Sequence, residues 1–331
     1  MIKIENEIVL IGGLGYVGNA IADYFNAKEI NVSIIDNNIY EKKIEMANQN
    51  QFIDIDIRNF EDISKIDYSS KNIIVLAGLV GDPITSKYPK ESNLINDYSL
   101  IRFLSNLKNY RRLIFISTCS NYGLNSSNEQ LDEQSKLNPI SLYSKAKVKV
   151  EKYLMSSEKN FTILRFATAF GHSGNMRFDL TLNEFTAYQY FNKFIEVYDF
   201  DTYRPYCHVK DFANAIDKVI AAKNKDINKQ IFNVGSNQNN ISKKDLVGII
   251  SKITGNKNYE LINNSKDKRN YVVDFSKVRD YLGFESQYSI QQGVEEIVKH
   301  LELNTYGLNE DFDKVANYYG NYFIPEKKLL L

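Results

Sequence analysis

The chain has 331 residues, with 41 Lys plus Arg set against 41 Asp plus Glu, a neutral balance that argues against nucleic acid or an anionic membrane as the main partner. That length can bury a sizeable core in two lobes, and no apolar run in it approaches a membrane span. Two cysteines, Cys119 and Cys207, and three histidines form no metal-ligand pattern, and the opening M-I-K-I-E-N-E leads straight into a strand with no signal peptide, so a metal-free cytoplasmic protein is expected.

The first element is the apolar run Ile8–Ile11, which breaks into Gly12, Gly13, Gly15 and Gly18 and continues as a helix from Tyr16 through Phe25. A strand turning tightly into a helix aims free N–H groups and the positive end of the helix dipole at one spot, which suits a pyrophosphate. Gly12 and Gly13 allow the turn, Gly15 lets backbone approach the phosphates, and Gly18 lets the helix pack closely. A second apolar run, Ile30–Ile35, ends at Asp36, where a dinucleotide fold places the carboxylate for the adenosine ribose. Asn37 and Asn38 follow it instead of an arginine, so a 2′-phosphate would meet an anion, and NAD is expected over NADP.

Further along, Gln51–Ile57, Asn72–Ala77, Arg112–Ser117 and Phe161–Phe166 read as strands, and Ser92–Leu107 and Leu142–Met155 as helices. Near-continuous apolar strands alternating with helices predict an α/β fold, a Rossmann-type doubly wound parallel sheet covered on both faces. The pattern loosens after about Gly171. Ser242 and Asp245 start a helix that Gly255 stops, Ser289 and Gln292 start another that runs to His300, and short strands are expected at Ile231–Val234 and Tyr271–Asp274. The division expected is 1–170 for the dinucleotide domain and 171–303, with interleaved segments, for a smaller substrate lobe. The Tyr- and Phe-rich tail, 304–331, is expected to pack against the body.

Tyr143 and Lys147 lie four apart on one helical face, where an ammonium favours the phenolate and pulls it below ~10. Thr118, at the end of the strand Arg112–Ser117, could hydrogen-bond the oxygen that Tyr143 protonates.

Together, Gly12-Gly13-x-Gly15-x-x-Gly18, Asp36, Asp56-Ile57, Thr118 and Tyr143-x-x-x-Lys147 resemble the extended short-chain dehydrogenase/reductases that act on nucleotide sugars. The resemblance implies that Tyr143 is the acid/base, that Lys147 holds the nicotinamide ribose, and that Thr118 orients the sugar. It puts Asp56 and Ile57 beside the adenine, with Tyr16, Val17, Asn37, Leu76, Ala77, Gly78 and Phe166 as further NAD contacts. For the nucleotide-diphosphate sugar it implies Val80, Cys119, Ser120, Tyr143, Thr168, Asn175, Arg177 and Tyr206. Arg204, in Tyr203–Asp211, and Arg269, in Asp267-Lys-Arg269, resemble the pair that clamps the diphosphate. A homodimer through the helices Ser92–Leu107 and Leu142–Met155 is also implied.

Two departures from the family pattern narrow the chemistry. Cys119-Ser120 stands where sugar 4,6-dehydratases carry Asp-Glu, and Thr168 stands where galactose-type epimerases carry Asn. Leu79–Pro83 and Asn175–Leu180 resemble 4-keto-sugar reductases and GDP-heptose 4-dehydrogenases of surface-polysaccharide pathways. Three readings follow: net oxidation or reduction at a sugar carbon, C4 first; epimerisation on a tightly held NAD; or a silent NAD-binding sensor, against which the intact Tyr143/Lys147 pair stands.

Overall fold

Ile8–Ile11, Asn72–Val75 and Thr162–Phe166 are buried at every position, so each needs a packing partner on both faces. In the computed structural model, which describes residues 2–42, 50–124, 130–263, 269–307 and 320–329, they find it in a seven-stranded sheet. Its order is Gln230–Val234, Thr162–Phe166, Arg112–Thr118, Asn72–Val75, Ile8–Ile11, Val32–Asp36 and Gln51–Asp54, and every neighbouring pair is parallel. The chain order reverses between Ile8–Ile11 and Asn72–Val75, which marks the switch point where such sheets bind ligands beyond their carboxyl ends.

Strand alternation sorts the core into two layers. Leu10, Ile34, Ile74, Ile114 and Leu164 face Ile21 and Phe25 of the helix Tyr16–Asn26 and Phe212 and Ile216 of the helix Val209–Ala221. Val9, Ile11, Ile35, Ile73, Val75 and Phe115 face Phe103 and Leu104 and, on the helix Leu142–Met155, Val150 and Leu154. Each fully buried side chain of this kind contributes roughly 1.5–3 kcal/mol, so the doubly covered sheet is the stable platform.

The smaller lobe holds a third core, built on Thr168–Phe170, Tyr203–His208 and Asn240–Ser242 and on the helices Thr181–Tyr190, Lys243–Thr254 and Ile290–Glu302. The expected caps are present. Ser242 Oγ accepts the Asp245 N–H at 3.1 Å, Gly255 ends that helix at φ 75°, and Ser289 and Gln292 form a reciprocal capping box.

Three elements differ from expectation. Gln230–Val234 does not stay with the smaller lobe but returns to the large sheet, pairing with Thr162–Phe166 after the helix Val209–Ala221 has crossed back onto Tyr16–Asn26. Tyr271–Asp274 forms no strand: Val273 bridges only Leu131, because its N–H goes instead to the Asn240 side chain at 3.0 Å. Within Ser92–Leu107 the winding loosens to a π-helical turn at Leu94–Ser99. Of the tail, 308–319, 330 and 331 lie outside the described residues, and 320–329 packs on the body beside the cleft, with Ile324 fully buried.

Candidate active site

The carboxyl ends of the sheet strands open into one cleft of about 550 Å³, within the usual range for small-molecule sites of ~300–1,000 Å³. Its dinucleotide wall follows from the glycine turn. Gly12 has φ +82°, and a Cβ there would lie 2.4 Å from the Ala77 Cα; one on Gly18 would lie 2.2 Å from the Gly13 carbonyl oxygen. The turn and the helix are therefore locked by backbone contacts only glycine permits. At Gly15, by contrast, the space beside the backbone is open, and the helix Tyr16–Asn26 starts there with no side-chain cap and no acid in its first turn. Uncapped N–H groups and a positive helix end facing a cleft fit a dinucleotide pyrophosphate.

Asp36 ends its strand at the rim. Its carboxylate accepts the N–H groups of Leu14 at 3.0 Å and Asn38 at 2.8 Å, while burial pushes its pKa up against those donors. Asp56 and Ile57 line the same end, with Asp56 forked by Arg58 at 2.7 Å, both side chains nearly buried. Tyr16, Val17, Asn37, Leu76, Ala77, Gly78 and Phe166 line the cleft too. Gly13 does not: it sits under the turn, where a Cβ would meet Leu10 and Ile34.

Thr118, Tyr143 and Lys147 all face this cleft from the end of the strand Arg112–Thr118 and the start of the helix Leu142–Met155. Lys147 is 2 % exposed; its ammonium donates to the Ile116 carbonyl at 2.8 Å and lies 5.8 Å from the Tyr143 ring centre. Burial pushes Lys147 down to about 8, against the pull of Glu151. The expected depression of Tyr143 is not what the fold delivers: burial raises it, Arg177 opposes, and Asp82 adds to the rise. Desolvation acts on both members of the pair, disfavouring the phenolate and the ammonium alike.

Beneath these residues lies a buried network. Glu151 and Arg165 pair at 2.7 Å, and the carboxylate also accepts from Ser117 at 2.5 Å and Asn121 at 2.8 Å. It joins the helix Leu142–Met155 to the strand carrying Thr118 and fixes their spacing. Cys119, expected to touch substrate, belongs to this inner side. The chain turns inward after Thr118, leaving Cys119 1 % exposed with its thiol donating to the Arg165 carbonyl at 3.2 Å. Burial pushes that thiol far up, so it is inert. Ser120 does line the cleft.

The residues expected to meet substrate, Val80, Thr168, Asn175, Arg177, Arg204, Tyr206 and Arg269, all line the cleft. Asn175 donates to the Leu14 carbonyl at 2.7 Å, crossing to the glycine loop. The two candidate diphosphate arginines do meet: Arg204 donates to the Arg269 carbonyl and stacks over Tyr271 at 5.2 Å. Arg269 bridges the cleft to Asp82 at 2.8 Å. The neighbouring Asp267 and Lys268 lie outside the described residues. Arg177 is committed to Asp179, with Nε at 2.9 Å from the carboxylate. Lys42, Asp82, Asp179, Tyr271 and Asn321 also line the cleft. Asp82 and Asp179 fall within the segments Leu79–Pro83 and Asn175–Leu180 and Tyr271 within the expected strand Tyr271–Asp274, whereas Lys42 and Asn321 come from segments without a motif.

Among the described residues no cluster of His, Cys, Asp and Glu could hold a metal, and no helix is long and apolar enough to cross a membrane.

A family model described as the NAD dependent epimerase/dehydratase family matches residues 8–235. A UDP-glucuronate 4-epimerase of Thermodesulfobacterium geofontis is 26% identical over 265 residues, 77% of this chain and 80% of the relative. A UDP-glucose 4-epimerase of Rhizobium leguminosarum is 24% identical, with 86% and 94% covered. Among solved structures, a UDP-glucuronic acid 4-epimerase from Bacillus cereus, in complex with UDP-glucuronic acid and NAD, superposes with a TM-score of 0.77 at 22% identity, covering 91% of this chain and 99% of that one. A UDP-glucose 4-epimerase from Thermotoga maritima, with UDP-glucose, gives 0.75 at 21%, covering 90% and 99%.

Proposed function

The chain belongs to the NAD dependent epimerase/dehydratase family, and from that premise we propose that it is an NAD-dependent 4-epimerase of a nucleotide-diphosphate sugar. The observation that carries the reading is the single cleft in which Tyr143, Lys147 and Thr118 share a wall with Arg204 and Arg269, opposite the uncapped helix end at Gly15. Bound NAD supplies a hydride acceptor and later donor. Tyr143 exchanges the proton of the sugar hydroxyl, Thr118 hydrogen-bonds the same oxygen, and Lys147 sets the phenol's charge environment. Arg204 and Arg269 hold the diphosphate, as planar guanidinium forks suit phosphate oxygens. Epimerisation is favoured because relatives spanning most of the chain carry 4-epimerase names.

Net oxidation or reduction at C4 is the second reading. Thr168, in place of the epimerase asparagine, and the Leu79–Pro83 and Asn175–Leu180 segments, which resemble redox members, favour it, and a surface-polysaccharide role goes with it. Dehydration is disfavoured, since Cys119 faces the core and Ser120 is no carboxylate. A cytoplasmic homodimer, with a dinucleotide domain at 1–170 and a substrate lobe at 171–303, belongs to the same proposal. The test is turnover of a nucleotide-sugar panel followed by NMR and by absorbance at the reduced-nicotinamide band. Isomer formation with no net NADH supports epimerisation; stoichiometric NADH change replaces it with the redox reading.

A further inference from the structure

The tail sits at an unusual place. Its hydrogen bonds go to the loops that frame the dinucleotide end of the cleft, while the Tyr322 side chain lies near Asp179, Glu184 and Tyr188 of the smaller lobe. Asn321 donates to the Val80 carbonyl at 3.3 Å, the same oxygen that Arg177 reaches at 3.2 Å from the other side. The Tyr322 carbonyl accepts Lys87 at 3.2 Å. Ile324 is fully buried in a small cluster with Leu79, Ile84 and Ile95, against which Ile39 and Tyr40 of the Asp36 loop pack. Lys328 donates to the Asn37 carbonyl, next to Asp36. The Arg58 guanidinium, held by Asp56 on one side, donates to the carbonyls of Lys328 at 2.7 Å and Leu329 at 3.4 Å on the other.

Those partners are cleft residues or lie next to them. Asn37 and Asp56 line the adenosine end, Leu79 and Val80 the floor toward Tyr143, and Asn321 itself lines the cleft. The exposed Lys327–Glu41 pair adds little. The buried parts matter more: Ile324 ties one loop to the other, and without the tail carbonyls Arg58 would keep only Asp56.

We propose that Asn321–Leu329 is a clasp that holds the Asn37–Lys42 and Leu79–Pro83 loops around the dinucleotide, so that release of this segment limits NAD exchange. The inference rests on the reading that NAD fills this cleft and says nothing about which sugar is turned over. A ligand enclosed this way leaves only as often as the clasp opens, and loosening the clasp raises its release rate while leaving the hydride- and proton-transfer groups in place.

The experiment loads the full chain with labelled NAD and follows its release after dilution into excess unlabelled NAD, for wild type, Ile324→Asp and the double variant Lys87→Ala/Lys328→Ala, whose two lysines hold the tail from outside the cleft lining. The double variant removes only peripheral polar contacts and keeps the chain testable where the buried aspartate prevents folding. The clasp predicts release about tenfold faster or more, with turnover at saturating NAD changed less than about threefold. Unchanged release from a folded variant, or a loss of turnover without faster release, would overturn it. A wild-type chain that binds no NAD would refute the functional reading instead, which the loading step reveals before any variant is compared.

Discussion

On the dinucleotide side of the cleft, Gly12, Gly15 and the open end of the helix Tyr16–Asn26 present backbone to the ligand. On the opposite side Arg177, Arg204, Arg269 and Tyr271 present side chains, drawn from segments almost a hundred residues apart and tied to Asp179, Asp82 and one another. Backbone recognition depends on a local turn and is written in a few consecutive residues. Side-chain recognition depends on loops that a fold must bring together. The first wall is geometrically rigid, while the second is held by ion pairs that a charged ligand can compete for. Tyr143 and Lys147 stand at the seam.

The sharpest test of that division is at the seam. Tyr143→Phe removes only a hydroxyl from the substrate side, so turnover should fall by roughly 10²–10⁴ while NAD affinity stays within a few-fold. Lys147→Ala should damage both, because its ammonium, anchored on the Ile116 carbonyl, reaches toward both walls. Steady-state kinetics with calorimetric NAD titration checks it. A Phe variant with near-normal turnover would assign the proton to another group.

The next effect lies wholly on the substrate wall. Arg204→Ala removes the guanidinium of a residue that is 7 % exposed, and hydrogen bonds to charged groups are worth about 1.5–3 kcal/mol, so the substrate KM should rise roughly 10- to 100-fold with NAD binding unchanged. Arg204→Lys should recover little, since a point charge does not reproduce the fork. Parallel losses in NAD affinity would show that the two walls are one unit rather than two.

Legibility followed the same division. The glycines, Asp36, Thr118, Tyr143 and Lys147 are local or strand-end features, and the structure places each of them at one cleft except Gly13, which supports the turn from beneath. Arg204 and Arg269 could be read only through resemblance, and nothing in the sequence showed that they would touch. Cys119 was misread because the step from strand into a 3₁₀ turn decides which way a side chain points. The shift of Tyr143 was misread for a different reason: sequence shows the neighbouring charge but not the burial that outweighs it. Lys42 and Asn321 reach the cleft from segments with no pattern at all.

A smaller effect is expected on the backbone wall. Asp36 accepts two backbone N–H groups and sits where the ribose hydroxyls of a dinucleotide belong, so NADP should bind at least about tenfold more weakly than NAD, through repulsion and desolvation. Arg58, the nearest guanidinium in sequence, is already forked to Asp56 and cannot neutralise an added phosphate without breaking that pair. Calorimetric titration with both dinucleotides measures the ratio, and equal affinities would show that this wall also reads side-chain charge.

The smallest effect separates the walls by stability rather than by binding. Glu184, on the helix Thr181–Tyr190 behind Asp179, is pushed up to about 7 from 4.5 by burial first and by the Asp179 charge second. A carboxyl whose folded pKa is raised binds more protons folded than unfolded between those two values. Its contribution is therefore fully present below about 4.5 and is lost as pH rises through about 7. Asp179 itself is held low by Arg177, so it stays charged and sustains the repulsion across that window. Glu184→Gln removes the titration, and its stability relative to wild type should rise from pH 4.5 to 7 by about 1–2 kcal/mol once partial solvent exposure is allowed for. Urea unfolding at several pH values, with NAD-binding affinity measured alongside, checks both halves of the expectation. The stability difference should change with pH while the affinity ratio stays flat, because the glycine wall shares no charge with this helix. A pH-independent stability difference would mean that Glu184 keeps its proton, or its charge, throughout.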